Sequence, residues 1–498
     1  MLQSLTTLYD RRGRASSPGD NRDALSRLTV TKRRRTRAVA NRLPFVGALL
    51  LGASGVDGQA AQTTASRPGP LEALVVEALT RNLGLEQARL TEQRAAARYR
   101  EARGRWLPSI GLDARYSEQE GSLHLGDVVN PAYAALNELL GAERFPTDLD
   151  ITLPYRHETR FRLVQPVFDE RIRSASALAR EESAGQEALR GVEARAVAAD
   201  VQMAWYVAAA ARDAVAILDS AWQVVHENER VAKRLIAAGR ATPDVLHRAR
   251  AERADVEQQV AETRERALGA LRDVNRILDR ALDTPLDELT DASVVAALPL
   301  PALTDELVAT ALARREELAQ ATAGIGAAKA GVRLATASYI PSVALALDYG
   351  WQGRDVDFGS NRDFAVASVV LSWALSPGSD AARRRGAQLE ARRAEVRRQE
   401  LTSVLELEIR QAHEAAVVAR EAIATAELRG RSAERAFELV RRRYEEGLAS
   451  HVEFVDARAA MTSAQLNRSI AAYRYGMHWV ELERAAALRD LETNEEES

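Results

Sequence analysis

Residues 340–349 read IPSVALALDY, and residues 107–116 read LPSIGLDARY. Pro108 matches Pro341, Ser109 matches Ser342, and Tyr116 matches Tyr349. Both stretches alternate. Ile110, Leu112, Ala114 and Tyr116 point one way, and Gly111, Asp113, Arg115 and Ser117 the other. Val343, Leu345, Leu347, Tyr349 and Trp351 likewise oppose Ser342, Ala344, Ala346, Asp348 and Gly350. A period of two predicts strands, over 107–117 and 340–351. Two more are predicted at 157–168, where Phe161 and Leu163 oppose Arg160 and Arg162, and at 363–375. In the last, Ala367, Val369, Leu371 and Trp373 would form the apolar face.

The pairing continues beyond the strands. GRATPDVLHRARA (239–251) matches GLASHVEFVDARA (447–459). The strand pair is 233 positions apart and the second pair 208, so the first half carries about 25 extra residues. They fall in 118–155, which reads as a loop-like insert. We read a duplication with loop-length variation. Each half runs helix, strand, loop, strand, very long helix, turn, long helix.

Composition fits this reading. The 498 residues are 46% hydrophobic, 5% aromatic and 28% charged. Ala dominates the hydrophobic share, the balance of long helices packed through small side chains. There is no Cys, which excludes disulfides, thiolate metal sites, a Cys nucleophile and a lipid-modified Cys. The seven His residues form no close pair with a carboxylate partner on a helix, so no metal site is expected. GIGAAKAG (324–331) lacks the hydroxyl residue that follows Lys in a phosphate loop. We expect no enzyme and no cofactor.

A basic run, an apolar stretch from Leu43 to Val56, and small residues Gly58 and Ala60 predict a signal peptide with a long basic extension over 1–60, cleaved before Ala61. Residues 1–60 carry 11 Lys+Arg and four Asp+Glu, so the formal −3 of the whole chain leaves the mature part near −10. That argues against a nucleic-acid partner. No later window offers the ~18 uninterrupted apolar residues of a membrane helix. A membrane could be entered only by strands.

Strands of about ten residues, apolar outside and polar inside, suit a transmembrane barrel. Open sheet edges are not tolerated in lipid, and the smallest such barrels have about eight strands. Four strands would have to be pooled among copies. The helices predicted from Arg171 to Ala238 and from Ala381 to Glu446 could each reach about 100 Å. Heptad-like spacing recurs along them: Ala433, Phe437, Val440 and Tyr444 step by four, three and four. These helices alone fit a soluble coiled-coil scaffold equally well, periplasmic or cytosolic, and that alternative stays open.

Each long helix ends at a Gly, Gly239 or Gly447, suited to positive φ. Thr242-Pro243-Asp244 reads as a helix start, and Ser450-x-x-Glu453 as a capping box. Glu453 and Asp456 then fall on one face just past the second turn. Val245 and Arg248 occupy the corresponding places in the first half. Repeated around an axis, the two acids would form a carboxylate ring able to gate a pore and select cations.

On these features the chain resembles the TolC-like outer-membrane efflux protein family, from about Pro70 to about Leu488. The LPS and IPS strand starts, QPVFDERIRSA, WALSPGSDAA and the two tips carry the likeness. The resemblance implies a mainly α protein with a small β part. It implies a homotrimer with a twelve-stranded barrel in outer-membrane lipid, continuing into a periplasmic helical tunnel. It implies a periplasmic adaptor contacting the tips at Gly239, Thr242, Asp244, Gly447 and Ser450. It also implies an inner-membrane transporter of RND, ABC or MFS type, and Glu453 and Asp456 as the periplasmic gate. Glu453 stands where the family often has Asp. The expected organisation is a first repeat over 61–280 with its tip at 239–244, and an equatorial segment over 281–303. A second repeat follows over 304–490 with its tip at 447–453, then an acidic tail over 491–498.

Overall fold

The computed structural model describes residues 69–118, 123–149, 152–153, 156–286, 289–353, 356, 358–359 and 362–491. Contacts divide the chain into two units, Met1–Ala65 and Ser66–Ser498. All described residues lie in the second, so the expected leader and most of the acidic tail fall outside them.

Ten α-helices and six strands occur among the described residues. The order begins α1 (Pro70–Arg81), α2 (Leu83–Gly104), β1 (Ser109–Tyr116), β2 (Leu123–His124), α3 (Gly126–Leu140), β3 (Thr152–Leu153) and β4 (His157–Phe168). It continues α4 (Glu170–Ala237), α5 (Pro243–Ile277), α6 (Ala292–Ala296), α7 (Asp305–Arg314) and α8 (Glu316–Thr336). It closes with β5 (Ser342–Gly353), β6 (Asp363–Ser372), α9 (Pro377–Glu445) and α10 (His451–Ala485).

The insert read as loop-like holds a 15-residue helix, α3. Asn130 and Asn137, two turns apart on one face, fasten the following chain to it. Asn130 exchanges hydrogen bonds with the backbone of Leu149. Asn137 accepts from the amides of Arg144 and Phe145. Such local side-chain anchors are invisible to a periodicity argument.

The single helix expected before each half's first strand is broken in two. Asn82 ends α1 and caps α2, accepting from the amides of Gly84 and Leu85. Arg315 sits at the matching break between α7 and α8, 233 positions later. The strand starts Ser109 and Ser342 have the same separation.

β1, β4, β5 and β6 form one antiparallel sheet in that order. Ile110 pairs with Leu163, Leu163 with Leu347, and Leu347 with Ala367, giving an apolar row across one face. Leu112, Phe161 and Tyr349 form the next row and stay solvent-exposed in the single chain. The opposite face carries ions: Arg160 lies 3.5 Å from Asp113, and Arg162 donates to Asp348 at 2.6 and 3.2 Å. Gly350 is required by the close approach of β4, because a Cβ there would meet the Thr159 carbonyl oxygen at 2.2 Å.

The helices pack as a layer. Near the sheet the neighbours run α2, α4, α8, α9, and toward the hairpin tips α5, α4, α10, α9. The main core joins α1, α4, α5, α6 and α10 around Trp205, Tyr206 and Tyr473. Aromatic polar ends strap the equatorial segment to it. Trp205 Nε1 donates to Thr290 Oγ1 at 3.1 Å, the Tyr475 hydroxyl to the Leu298 carbonyl at 2.8 Å, and Trp479 Nε1 to the Pro299 carbonyl at 2.8 Å.

Candidate functional site

The two hairpin tips are built alike. At the first, Gly239 has φ +69°, its amide bonds the Ile236 carbonyl, and the Arg240 amide bonds the Leu235 carbonyl. At the second, Gly447 has φ +81°, its amide bonds the Tyr444 carbonyl, and the Leu448 amide bonds the Arg443 carbonyl. This two-bond pattern satisfies carbonyls left over at a helix end and demands a residue at ease with positive φ.

Each chain then restarts a helix. Ser450 Oγ accepts from the Glu453 amide at 3.2 Å and faces the Glu453 carboxylate at 3.3 Å. At the first tip the expected cap takes another form. The Thr242 hydroxyl makes no backbone cap and bonds the Asp244 carboxylate instead. That bond, with Arg248 at 3.5 Å, holds Asp244 below the usual carboxylate range.

Gly239, Thr242, Asp244, Gly447, Ser450, Glu453 and Asp456 are all exposed. Glu453 and Asp456 lie three residues apart at the start of α10, on one side of the helix. The carboxylate of Glu453 is engaged in its own cap. Asp456 has no hydrogen-bond or ion-pair partner among the described residues.

Behind this face lies a buried polar cluster that sequence patterns did not reveal. Arg458 of α10 donates to Glu252 of α5 at 2.9 Å, and both side chains are only 8% exposed. Tyr444 of α9 faces His451 Nδ1 at 3.3 Å, both buried. Phe437, Tyr444 and Phe454 pack around them, with Val231 and Leu235 of α4. Burial holds His451 below the usual imidazole range; Arg248 adds to the effect and Asp244 opposes it. Burial raises Glu252, against the pull of Arg458. Nearby, Lys233, Arg250 and Arg253 surround Glu229. The signal available in sequence was weak: one acid and one Arg, 206 positions apart, each on a seam that looks merely charged.

Among the described residues no group of three or more His, Asp or Glu side chains could hold a metal ion. The arrangement supplies charge and packing at the end of a helical layer.

The sequence model of the outer membrane efflux protein family matches residues 307–488. The chain carries this family's domain. The family is a channel-forming one of the outer membrane, not a class of enzymes. Protein CyaE of Bordetella pertussis is 33% identical over 193 residues, which span 38% of this chain and 38% of that relative's own length. The Campylobacter jejuni CmeC outer membrane channel superposes with a TM-score of 0.69 at 16% identity, covering 84% of this chain and 85% of CmeC. The outer membrane protein VceC of Vibrio cholerae gives 0.66 at 20% identity, covering 84% and 95%. At such low identity the structural likeness shows the fold, which is TolC-like: mainly helical, with a small four-stranded antiparallel sheet.

Proposed function

We propose that the protein is a passive exit duct of a tripartite efflux or type I secretion system, working as a homotrimer. One observation carries this. Among the described residues the four-stranded sheet ends in two unpaired edges, β1 and β6. The helical layer below has matching margins: α2 and α5 on the β1 side, α9 on the β6 side. Those margins expose apolar side chains, among them Leu90 and Leu268 on one and Val396, Leu407 and Val418 on the other. A copy set with its β1 margin against the β6 margin of the next answers both needs. Three copies pool twelve strands, enough to close a barrel around a water-filled lumen.

In that assembly Glu453 and Asp456 recur around the threefold axis and form the periplasmic gate. The exposed tips around Gly239, Thr242, Asp244, Gly447 and Ser450 are the contact for a periplasmic adaptor. An inner-membrane transporter supplies the energy. The support is the free carboxylate of Asp456, the shared face with Glu453, and a location at the end of the helical layer.

Single-channel conductance in a planar bilayer, with the oligomer mass of the detergent-purified protein, tests the proposal. A trimer with small, cation-selective openings is expected. A soluble monomer without channel activity would overturn it in favour of a coiled-coil scaffold.

A further inference from the structure

Charge is segregated across the sheet. The helix-side stretches 99–108, 169–178, 332–341 and 373–385 carry nine basic and four acidic side chains. The described residues of the loop-side stretches, 117–118, 123–149, 152–153, 156, 356, 358–359 and 362, carry three basic and five acidic. The chain's net negative balance therefore hides a positive zone where strands become helices.

Aromatic residues mark the same level. Trp106 lies three residues before β1, Phe168 ends β4, and Trp373 follows β6 directly. Tyr and Trp favour the membrane–water interface, one end apolar and one end wet. The arginines come just beyond. Arg383, Arg384 and Arg385 lie six to eight residues into α9, about 9–12 Å along the axis from its start. Consecutive residues on a helix are ~100° apart, so the three sweep roughly half of its circumference. Some face outward whichever side of α9 lines a lumen. Arg383 is paired with Asp380 at 2.8 Å. Arg384 and Arg385 are exposed, with no hydrogen-bond or ion-pair partner among the described residues. Among the described residues, Arg105, at the end of α2, is held only by an exposed pair with Glu101 at 3.4 Å, which is worth little.

We propose that this arginine zone is a collar for anionic phospholipid headgroups of the membrane leaflet that faces the helices. Long arginine side chains reach along the helix to the headgroup level while their stems cover apolar surface. Each cation near an anionic surface contributes on the order of 1 kcal/mol. Three copies of the chain would triple the charge around one ring. Lipid A offers the same phosphate chemistry, but from the leaflet on the loop side, where the chain is acidic. The inference rests on the outer-membrane reading, and its test separates the two.

The native protein is reconstituted in bilayers of phosphatidylethanolamine with increasing phosphatidylglycerol. Retained lipid is then read by native mass spectrometry, with conductance measured in parallel. Retention of phosphatidylglycerol over phosphatidylethanolamine is expected. It should fall on the order of fivefold for each arginine removed in the series R384Q, R385Q and R383Q. Trimer mass and conductance should stay unchanged. The pair R103Q and R105Q on α2 repeats the test should the α9 series fail to fold. Equal retention of both lipids by a conducting native protein would overturn the collar and leave the channel intact. So would retention unchanged in conducting variants, or selective retention of lipid A. Absence of any channel would instead sink the outer-membrane duct.

Discussion

Arg458 and Glu252 belong to different helical hairpins, and a 2.9 Å ion pair with both side chains 8% exposed joins them. The second Glu252 oxygen, Oε2, is buried with no hydrogen-bond partner among the described residues. The pair is therefore poised: its charges are desolvated and depend on each other. It lies two residues beyond Asp456 on α10, so whatever moves Arg458 moves the acid-bearing face with it.

Breaking this pair from one side should loosen the tip. Arg458→Ala strands a buried carboxylate, a change that generally costs about 3–5 kcal/mol. Hydrogen exchange around 237–262 and 447–460 is expected to accelerate in Arg458→Ala and in Glu252→Ala. A double replacement by Arg458→Met and Glu252→Leu should largely restore protection, because no buried charge is then unpaired. Equal acceleration in the double variant would show that the pair is not the clasp.

Acid should loosen the same tip through His451. Its folded-state pKa lies below the ordinary value because burial penalises the charged ring. The unfolded or opened form therefore binds the proton more readily. The stabilising effect of the neutral ring is fully present above about pH 6.5 and is lost as pH falls below it. Asp244 moderates this effect and Arg248 strengthens it. Glu252 runs the other way, since its raised pKa favours the folded form as it protonates at lower pH. Comparing tip exchange at pH 7.5 and 5.5 should show faster opening in acid, absent in His451→Phe. An identical pH response in that variant would assign it elsewhere.

The gate proposal has its own test. Glu453→Ala with Asp456→Ala should lower the cation selectivity of the reconstituted pore. Asp456→Asn alone should do most of this while leaving the helix start intact, because only Glu453 takes part in the Ser450 cap. Ser450→Ala should cost about 1 kcal/mol of local stability without changing selectivity. Unchanged reversal potentials in the double variant would remove both acids from the gate.

The sheet offers a paired control. Gly350→Ala places a Cβ 2.2 Å from the Thr159 carbonyl oxygen and against the Arg160 backbone, whereas a Cβ at Gly111 meets nothing within 4 Å. The first should separate β4 from β5 and abolish a heat-resistant oligomer on gels. The second should leave it unchanged. Similar behaviour of the two would mean that the close approach is not what holds the register.

The sequence by itself determined the period of each element. Alternation at 342–351 and the Pro- and Gly-poor runs after 170 and 380 are local properties, and local sterics and hydrophobic patterning express them directly. The turn chemistry at Gly239, Gly447 and Ser450 was legible for the same reason: a positive φ and a capping oxygen concern only a few consecutive residues. The break at Arg315 was harder to read, because helix-favouring residues continue through it, whereas the one at Asn82 carries a capping Asn and Gly84 that a periodicity reading passes over. Only tertiary structure decided that the insert holds α3, whose asparagine anchors act on chain several residues away. Only it decided which charges are buried. Arg458 and Glu252 are ordinary members of polar helix faces until packing of α5 against α10 removes their water. That is a long-range event, with no signature in the spacing of either residue.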